Sequence, residues 1–337
     1  MNPLQHRLVV LGFIVVWTSG YVVGALATSS AEPLAIVFWR FAFAAVAFGL
    51  LAIGAHDRWP RGYRAWSAVA VAGIALFAVQ FGGLYIGLRE GMPAATTALI
   101  ACSAPLLVAG VTAALRWERL GRRGWMGIAL GIVGVAVTLA DRVGRPPSIT
   151  VAAWTALGLA GLAGGTLLQS RLRVDAGRFA IPAVQSAAST VVLAVWAPLA
   201  GGFAIPLTGK AIGSLGWLAV ICTIGGPLLL YSLIRADGPT RASSNLFVVP
   251  AATTIAAWPV LGDRLGPTAI VGLAIGATGM LLLSRRRSRS EPGGFGVRAP
   301  HVAQDAADLA QRGLGPDGVE HRRDHVAVAI GDIDHAR

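Results

Sequence analysis

Charge is scarce in this sequence, and most of what exists lies at the edges of apolar stretches. Asp, Glu, Lys and Arg make up 13% of the 337 residues, where a soluble domain carries about 25%. Acid is rarer still: of sixteen carboxylates, eight fall after residue 290, so the first 290 residues hold only eight. Lysine occurs once, at Lys210, beside 27 arginines. The net charge of +12 would suit a nucleic-acid partner. The arginines, however, cluster in gaps between apolar runs and not on one aromatic-laced face, which excludes nucleic acid and matches the loop bias of membrane proteins. Cysteine is nearly missing. Cys102 and Cys222 sit inside apolar runs without CxxC or Cys/His spacing, so they read as small buried hydrophobes, and neither a metal site nor a cofactor is expected. All six histidines (His6, His56, His301, His321, His325, His335) lie outside the apolar runs, leaving an intramembrane enzyme little catalytic chemistry. A GxxxxGK[ST] loop is absent as well, which disfavours ATP-driven pumping by this chain alone.

What is present in quantity is apolar: 55% of residues are hydrophobic. A helix needs about 20 apolar residues to cross the hydrocarbon core. Runs between charged or Gly/Pro breaks predict ten spans: 8–27, 33–53, 66–88, 94–115, 123–140, 151–170, 179–200, 213–234, 241–261 and 267–284. The first run follows Arg7 without an A-x-A site and reads as a retained helix, not a cleaved leader. With the N-terminus inside, alternate loops carry 17 basic residues on the cytoplasmic side and five on the other. That predicts an inner (plasma) membrane protein with both termini cytoplasmic. The tail, 285–337, is polar and Gly/Pro-punctuated and reads as a mostly disordered cytoplasmic extension. Its His321-x3-His325 spacing lacks an assured third metal ligand.

Sliding the chain by 145 positions lays Pro105–Val135 over Pro250–Met280 without a gap, with eight identities in 31 pairs. They are Pro105/Pro250, Arg119/Arg264, Leu120/Leu265, Gly121/Gly266, Gly127/Gly272, Ala129/Ala274, Gly131/Gly276 and Gly134/Gly279. Glu118 falls on Asp263, and Tyr85-x3-Arg89 falls near Tyr231-x3-Arg235. Two five-span units of odd count must insert upside down relative to one another, the inverted repeat of many secondary transporters. The expected class is therefore an all-α membrane protein, ten transmembrane helices as two inverted five-helix repeats, 8–140 and 151–284.

The two copies read PLLVAGVTAALRWERLGRRGWMGIALGIVG and PAATTIAAWPVLGDRLGPTAIVGLAIGATG. With WTSGYVVGALA and PLAIVFWRFAFA upstream, the chain resembles the EamA family of the drug/metabolite transporter superfamily over roughly residues 8–284. The resemblance implies ten helices around a central cavity and transport of a small metabolite, an amino acid or related compound, with export the expected direction. Asp263 stands where the family pattern usually has Glu, and the tail after 290 has no counterpart in it. The alternative is a non-transporting membrane receptor or scaffold.

Several residues are candidates for the path. Pro105 and Pro250 fall near mid-helix, where a proline frees a carbonyl; paired interruptions point to a transporter's binding site, or else to packing kinks. Gly226 and Pro227, after Gly225, and the pair Gly82-Gly83 mark bends or close contacts in the eighth and third spans. Arg40 lies seven residues into the second span; an arginine there costs about 2.5–3.5 kcal/mol on insertion scales and should face the bundle interior. It reads as an anchor for a carboxylate or other anionic group or, alternatively, as a side chain snorkelling outward or bonded to the carbonyls of a broken helix. Gln185 is its uncharged counterpart at the 145 offset. Gln80, Gln169, Tyr231, Ser243, Ser244, Asn245, Thr96 and Thr97 are further polar groups within spans, and Trp17 and Trp258 are candidate aromatic walls. Trp59, Trp66, Trp117, Trp125 and Trp217 suit an interfacial belt. No Asp, Glu or His lies deep in a span, which disfavours multidrug-cation export and a simple proton relay; proton coupling through a helix-end carboxylate is the alternative that stays open. Glu118-Arg119 and Asp263-Arg264 read as ion pairs shaping helix hairpins. Gly127-x3-Gly131 and Gly272-x3-Gly276 read as faces for close packing within the chain, with a homodimer contact as the alternative. The expected partners are membrane lipid and a small-molecule substrate.

Overall fold

In hydrocarbon each backbone N–H and C=O must find its partner within the segment, so long apolar runs fold as helices. The structure is a computed structural model that describes residues 3–117, 120–140, 148–237, 245–263 and 266–290. All of them belong to one unit, Met1–Glu291, and among the described residues there is no strand. Glu118, Arg119, Ser243, Ser244, Arg264 and the tail from 291 lie outside the described residues, as does the side chain of Tyr231.

The helices run α1 Pro3–Thr28, α2 Pro33–Gly54, α3 Tyr63–Gly73, a π-helical stretch Ile74–Val79, and α4 Gln80–Arg89. Then come α5 Ala94–Cys102, α6 Ala104–Ala114, α7 Arg122–Ala140, α8 Ile149–Arg171 and α9 Ala180–Leu199. The chain continues with α10 Gly209–Gly216, a second π-helical stretch Trp217–Gly225, α11 Gly226–Asp237, a 3-10 turn Asn245–Val248, α12 Val249–Leu261 and α13 Pro267–Ser290. Seven described segments are long and apolar enough to cross a membrane: Leu4–Thr28, Pro33–Gly54, Tyr63–Arg89, Ala94–Ala114, Ile149–Arg171, Ala180–Leu199 and Gly209–Asp237. Shorter apolar helices are Val249–Leu261 and Pro267–Leu282.

Local chemistry sets the boundaries. Ser148 Oγ accepts from Val151 N at 3.3 Å and Thr208 Oγ1 from Ala211 N at 3.2 Å, so α8 and α10 begin on side-chain caps. These caps start both helices a few residues before the apolar runs. Gly262 ends α12 in the left-handed region at φ +73° and returns its N–H to Trp258 O at 3.0 Å. Most described Ser and Thr hydroxyls inside helices bond back to their own backbone. Thr97, Thr138, Thr155 and Thr253, for instance, each reach the carbonyl four residues earlier. They are self-satisfied, not offered to a path.

Contacts between connections sort into two ends. At one, Arg89 donates to the Thr28 and Ala31 carbonyls at 2.8 and 3.1 Å and approaches Glu32 at 3.4 Å. Lys210 reaches Ser29 at 2.9 Å, Trp39 Nε1 donates to Phe203 O at 2.9 Å, and Ala94 N–H donates to Asp263 Oδ2 at 3.3 Å. At the other, Asp57 Oδ2 accepts from the N–H groups of Phe179 and Ala180 at 2.7 and 3.3 Å, and Arg58 meets Asp175 at 3.2 Å. Arg171 stacks over Trp117 at 3.6 Å, and His6 pairs with Asp237 at 2.6 Å. Asp263 thus holds the start of α5, a role the expected ion pair with Arg264 did not include.

Helices related by the 145-residue offset pack on each other: α2 on α9, and α7 on α13. The second pair meets along its glycines. A Cβ on Gly279 would stand 2.6 Å from Gly127 O and 2.7 Å from Gly131 N, so only hydrogen fits there. The faces anticipated from the Gly-x3-Gly spacing are therefore occupied within the chain.

Candidate functional site

Arg40 is 4% exposed, deep in α2. Its Nε donates to Thr223 Oγ1 at 2.7 Å and one Nη1 hydrogen to the Tyr85 hydroxyl at 2.8 Å. The guanidinium carbon lies 4.2 Å from the Phe81 ring centroid and 5.4 Å from that of Phe41. Phe41 in turn stacks on Phe77 at 4.6 Å. The aromatic faces stabilise the cation without neutralising it. Among the described residues its hydrogen-bonding partners are these two hydroxyls, and the described ion pairs all lie at helix ends.

Each element fixes one component. Tyr85 is buried on α4, and its ring packs on Gly24 of α1, where an added Cβ would sit 3.1 Å from the hydroxyl oxygen. Thr223 belongs to the second π-helical stretch and donates its own hydroxyl hydrogen to Leu218 O, five residues back, at 2.8 Å. Its oxygen is left to accept from Arg40. Pro227, which lacks an N–H, lies in the first turn of α11, directly after the π stretch. The first π stretch, Ile74–Val79, falls on 219–224 after the 145-residue shift, inside Trp217–Gly225. Both stretches pack on the second helix of the other copy: Ile74–Val79 on α9 and Trp217–Gly225 on α2.

At the offset position Gln185 is buried, and its Nε2 donates to Gln169 Oε1. Its backbone lies against Gly73, one residue before the first π stretch. Gln80 is 9% exposed, at the first position of α4, and its backbone approaches Gly158 and Gly161 of α8. Trp17 is half-buried, its ring 4.9 Å from Phe13 and near Gly226. Asn245 is half-buried at the head of the 3-10 turn.

Other sequence candidates land elsewhere. Trp258 is 60% exposed, on a face of α12 with Val248, Ala251 and Ile255, all exposed and apolar. The buried face carries Val249, Pro250, Thr253 and Ala257. Trp258 is thus no wall of the Arg40 cluster; a helix turns 100° per residue, and one step from Ala257 takes it off the inner face. Pro105 and Pro227 are exposed, whereas Pro250 and Gly226 are buried. The interruption tied to Pro105 is a break at Ser103 between α5 and α6, with Pro105 in the first turn of α6, where no donor is needed. Pro250 likewise opens α12. Both prolines therefore start helical segments instead of kinking continuous ones. Tyr85, Phe81 and Thr223 were not singled out as site residues from sequence; the repeat of Tyr85 at Tyr231 was the one available signal.

The EamA-like transporter family matches this chain twice, over residues 7–140 and 149–285. An uncharacterized transporter of Synechocystis sp. is 25% identical over 311 residues, covering 84% of this chain and 91% of its own length. One solved crystal structure superposes with a TM-score of 0.57 at 18% identity, covering 84% of this chain and 98% of its own. At that identity the likeness is one of fold alone.

Proposed function

The chain belongs to the EamA-like transporter family and is a multi-pass membrane transporter; from that premise we propose that it is a secondary transporter of a small metabolite working by alternating access. Ten spans form two inverted five-helix halves in the inner membrane, with both termini in the cytoplasm and export the working direction. The observation that carries this reading is the pairing of equivalents: α2 packs on α9, α7 on α13, and each π stretch on the second helix of the opposite copy. Such pairing is what a pseudo-two-fold axis in the membrane plane produces. The grouping of connections into two ends supports the inversion, because α1 begins at the end of His6 and Asp237 while α8 finishes there, beside Trp117. The basic loop residues divide 17 to five in the same alternation. The pivot lies at the π stretches, and the substrate site lies beside Arg40 with Gln80, Gln185 and Trp17 on neighbouring helices.

Purified full-length protein in phosphatidylethanolamine/phosphatidylglycerol vesicles tests this by counterflow with a panel of labelled amino acids, keto acids and other small metabolites. Uptake driven by an internal excess of the same compound is the expected result. Vesicles that exchange nothing on the panel would instead assign the protein to the receptor or scaffold class.

A further inference from the structure

Resting on the transport reading, and deepening it, we propose that the substrate is an organic monoanion held by its carboxylate on Arg40, and that the inside-negative membrane potential drives its export. One negative charge leaves per cycle.

The geometry of Arg40 is the starting point. A guanidinium has five N–H donors, and the hydroxyls of Thr223 and Tyr85 take two. Three remain, among them both on Nη2. Among the described residues, the sealed side-chain atoms without a partner are the hydroxyl oxygens of Thr18 and Ser186, not any nitrogen of Arg40. The free edge is therefore within reach of water. A planar fork with its other donors pinned presents the bidentate pattern that fits a carboxylate. Phe81 and Phe41 lie against the cation, favouring a ligand that approaches in the guanidinium plane.

Charge balance then selects among carboxylates. The empty site carries +1 in low dielectric. A monoanion brings it to zero. A zwitterionic amino acid leaves it at +1 and adds an ammonium group, for which residues 8–284 supply no mid-span carboxylate. A dianion overshoots to −1. The site is also single, because Gln185 at the offset position is uncharged and already bonded to Gln169.

Coupling follows from the same residues. No Asp, Glu or His lies deep in a span to trade a proton for the substrate, so the charge moved is the substrate's own. A monoanion crossing the full field is driven outward by a factor of about 50 in its equilibrium distribution per 100 mV.

The test uses two probes of one carbon skeleton, 2-oxoisovalerate (net −1) and valine (net zero), loaded into vesicles of the composition above. Potassium gradients with valinomycin set the potential. The expected result is 2-oxoisovalerate efflux that rises steeply as the interior becomes negative, with valine flux small and flat. Arg40→Gln should abolish the response, while Tyr85→Phe and Thr223→Val should each raise KM about tenfold or more by loosening the fork. Since Arg40→Gln could also impair folding, a binding measurement stands beside it. 2-Oxoisovalerate should protect detergent-solubilised wild-type protein against thermal unfolding and leave a monodisperse Arg40→Gln protein unprotected. Equal rates for valine and 2-oxoisovalerate, chloride moving as readily as the keto acid, or a pH gradient driving flux at zero potential would each overturn the inference while leaving the transport reading intact. Absence of flux for every solute would sink both.

Discussion

Alanine at Gly279 should destabilise the protein by about 1–3 kcal/mol, the usual cost of forcing an extra group into a filled interior. The reasoning starts from two distances: the new Cβ would lie 2.6 Å from Gly127 O and 2.7 Å from Gly131 N. Comfortable separations for carbon are about 3.5–4.0 Å. Both obstructing atoms are backbone, so no side chain can rotate away; α13 has to move off α7 by about 1 Å. A gap of that size forfeits a quarter to a half of each dispersion contact along the crossing, and this pair packs more extensively than any other two helices described. Gly49 of α2 is the control, because a Cβ there meets nothing within 4 Å. Gly49→Ala should be neutral or stabilising by up to about 1 kcal/mol through helix propensity. Unfolding of purified protein in mixed micelles, followed by circular dichroism against the mole fraction of dodecyl sulfate, measures both. Equal stability of the two variants would refute the argument. So would a Gly279→Ala protein of wild-type stability whose only change is a lower oligomeric mass, since the glycines would then serve a second chain.

Two further predictions concern the ends of the bundle. Asp57→Ala should raise amide hydrogen exchange at the start of α9, where the carboxylate now accepts from Phe179 and Ala180, and cost about 0.5–2 kcal/mol as lost helix caps do; unchanged exchange there would refute the capping role. Single cysteines placed by Arg122→Cys and Arg264→Cys, in a background lacking Cys102 and Cys222, should react with an impermeant maleimide from opposite sides of sealed vesicles; labelling from one side would refute the inversion.

Helix boundaries were legible wherever the signal is local. The run 33–53 corresponds to Pro33–Gly54, and 179–200 to Ala180–Leu199, because proline, glycine and charge interrupt apolar sequence at the points where the helices stop. The π stretches were not legible. Ile74–Val79 is an uninterrupted apolar run, and nothing in IALFAV distinguishes an i+5 ladder from an i+4 one. The traces lie downstream of each stretch, Gly82-Gly83 after the first and Gly225-Gly226-Pro227 at the end of the second, and they mark an interruption without specifying its π form. The facing of α12 was equally hidden. Trp258 and Ala257 are neighbours in sequence, yet one is exposed and the other buried, a difference set by rotation about the axis and not by composition.

The candidate site divides along the same line, for a reason that lies in the energetics. A buried cation is conspicuous in a hydrophobic run because it is expensive there, so Arg40 could be picked out alone. The groups that make its burial tolerable carry no comparable penalty. Tyr85 and Thr223 lie 45 and 183 positions away, and a hydroxyl in a transmembrane helix usually satisfies itself on its own carbonyls, as Thr97, Thr155 and Thr253 do. Thr223 does so too, on Leu218 O, and still has an oxygen lone pair to offer. Its bond to Arg40 depends on a π stretch bringing that oxygen to the guanidinium, so the partner becomes visible only once the backbone is known. A charged residue announces where a candidate site sits; the neutral residues that hold it in place are specified by the fold.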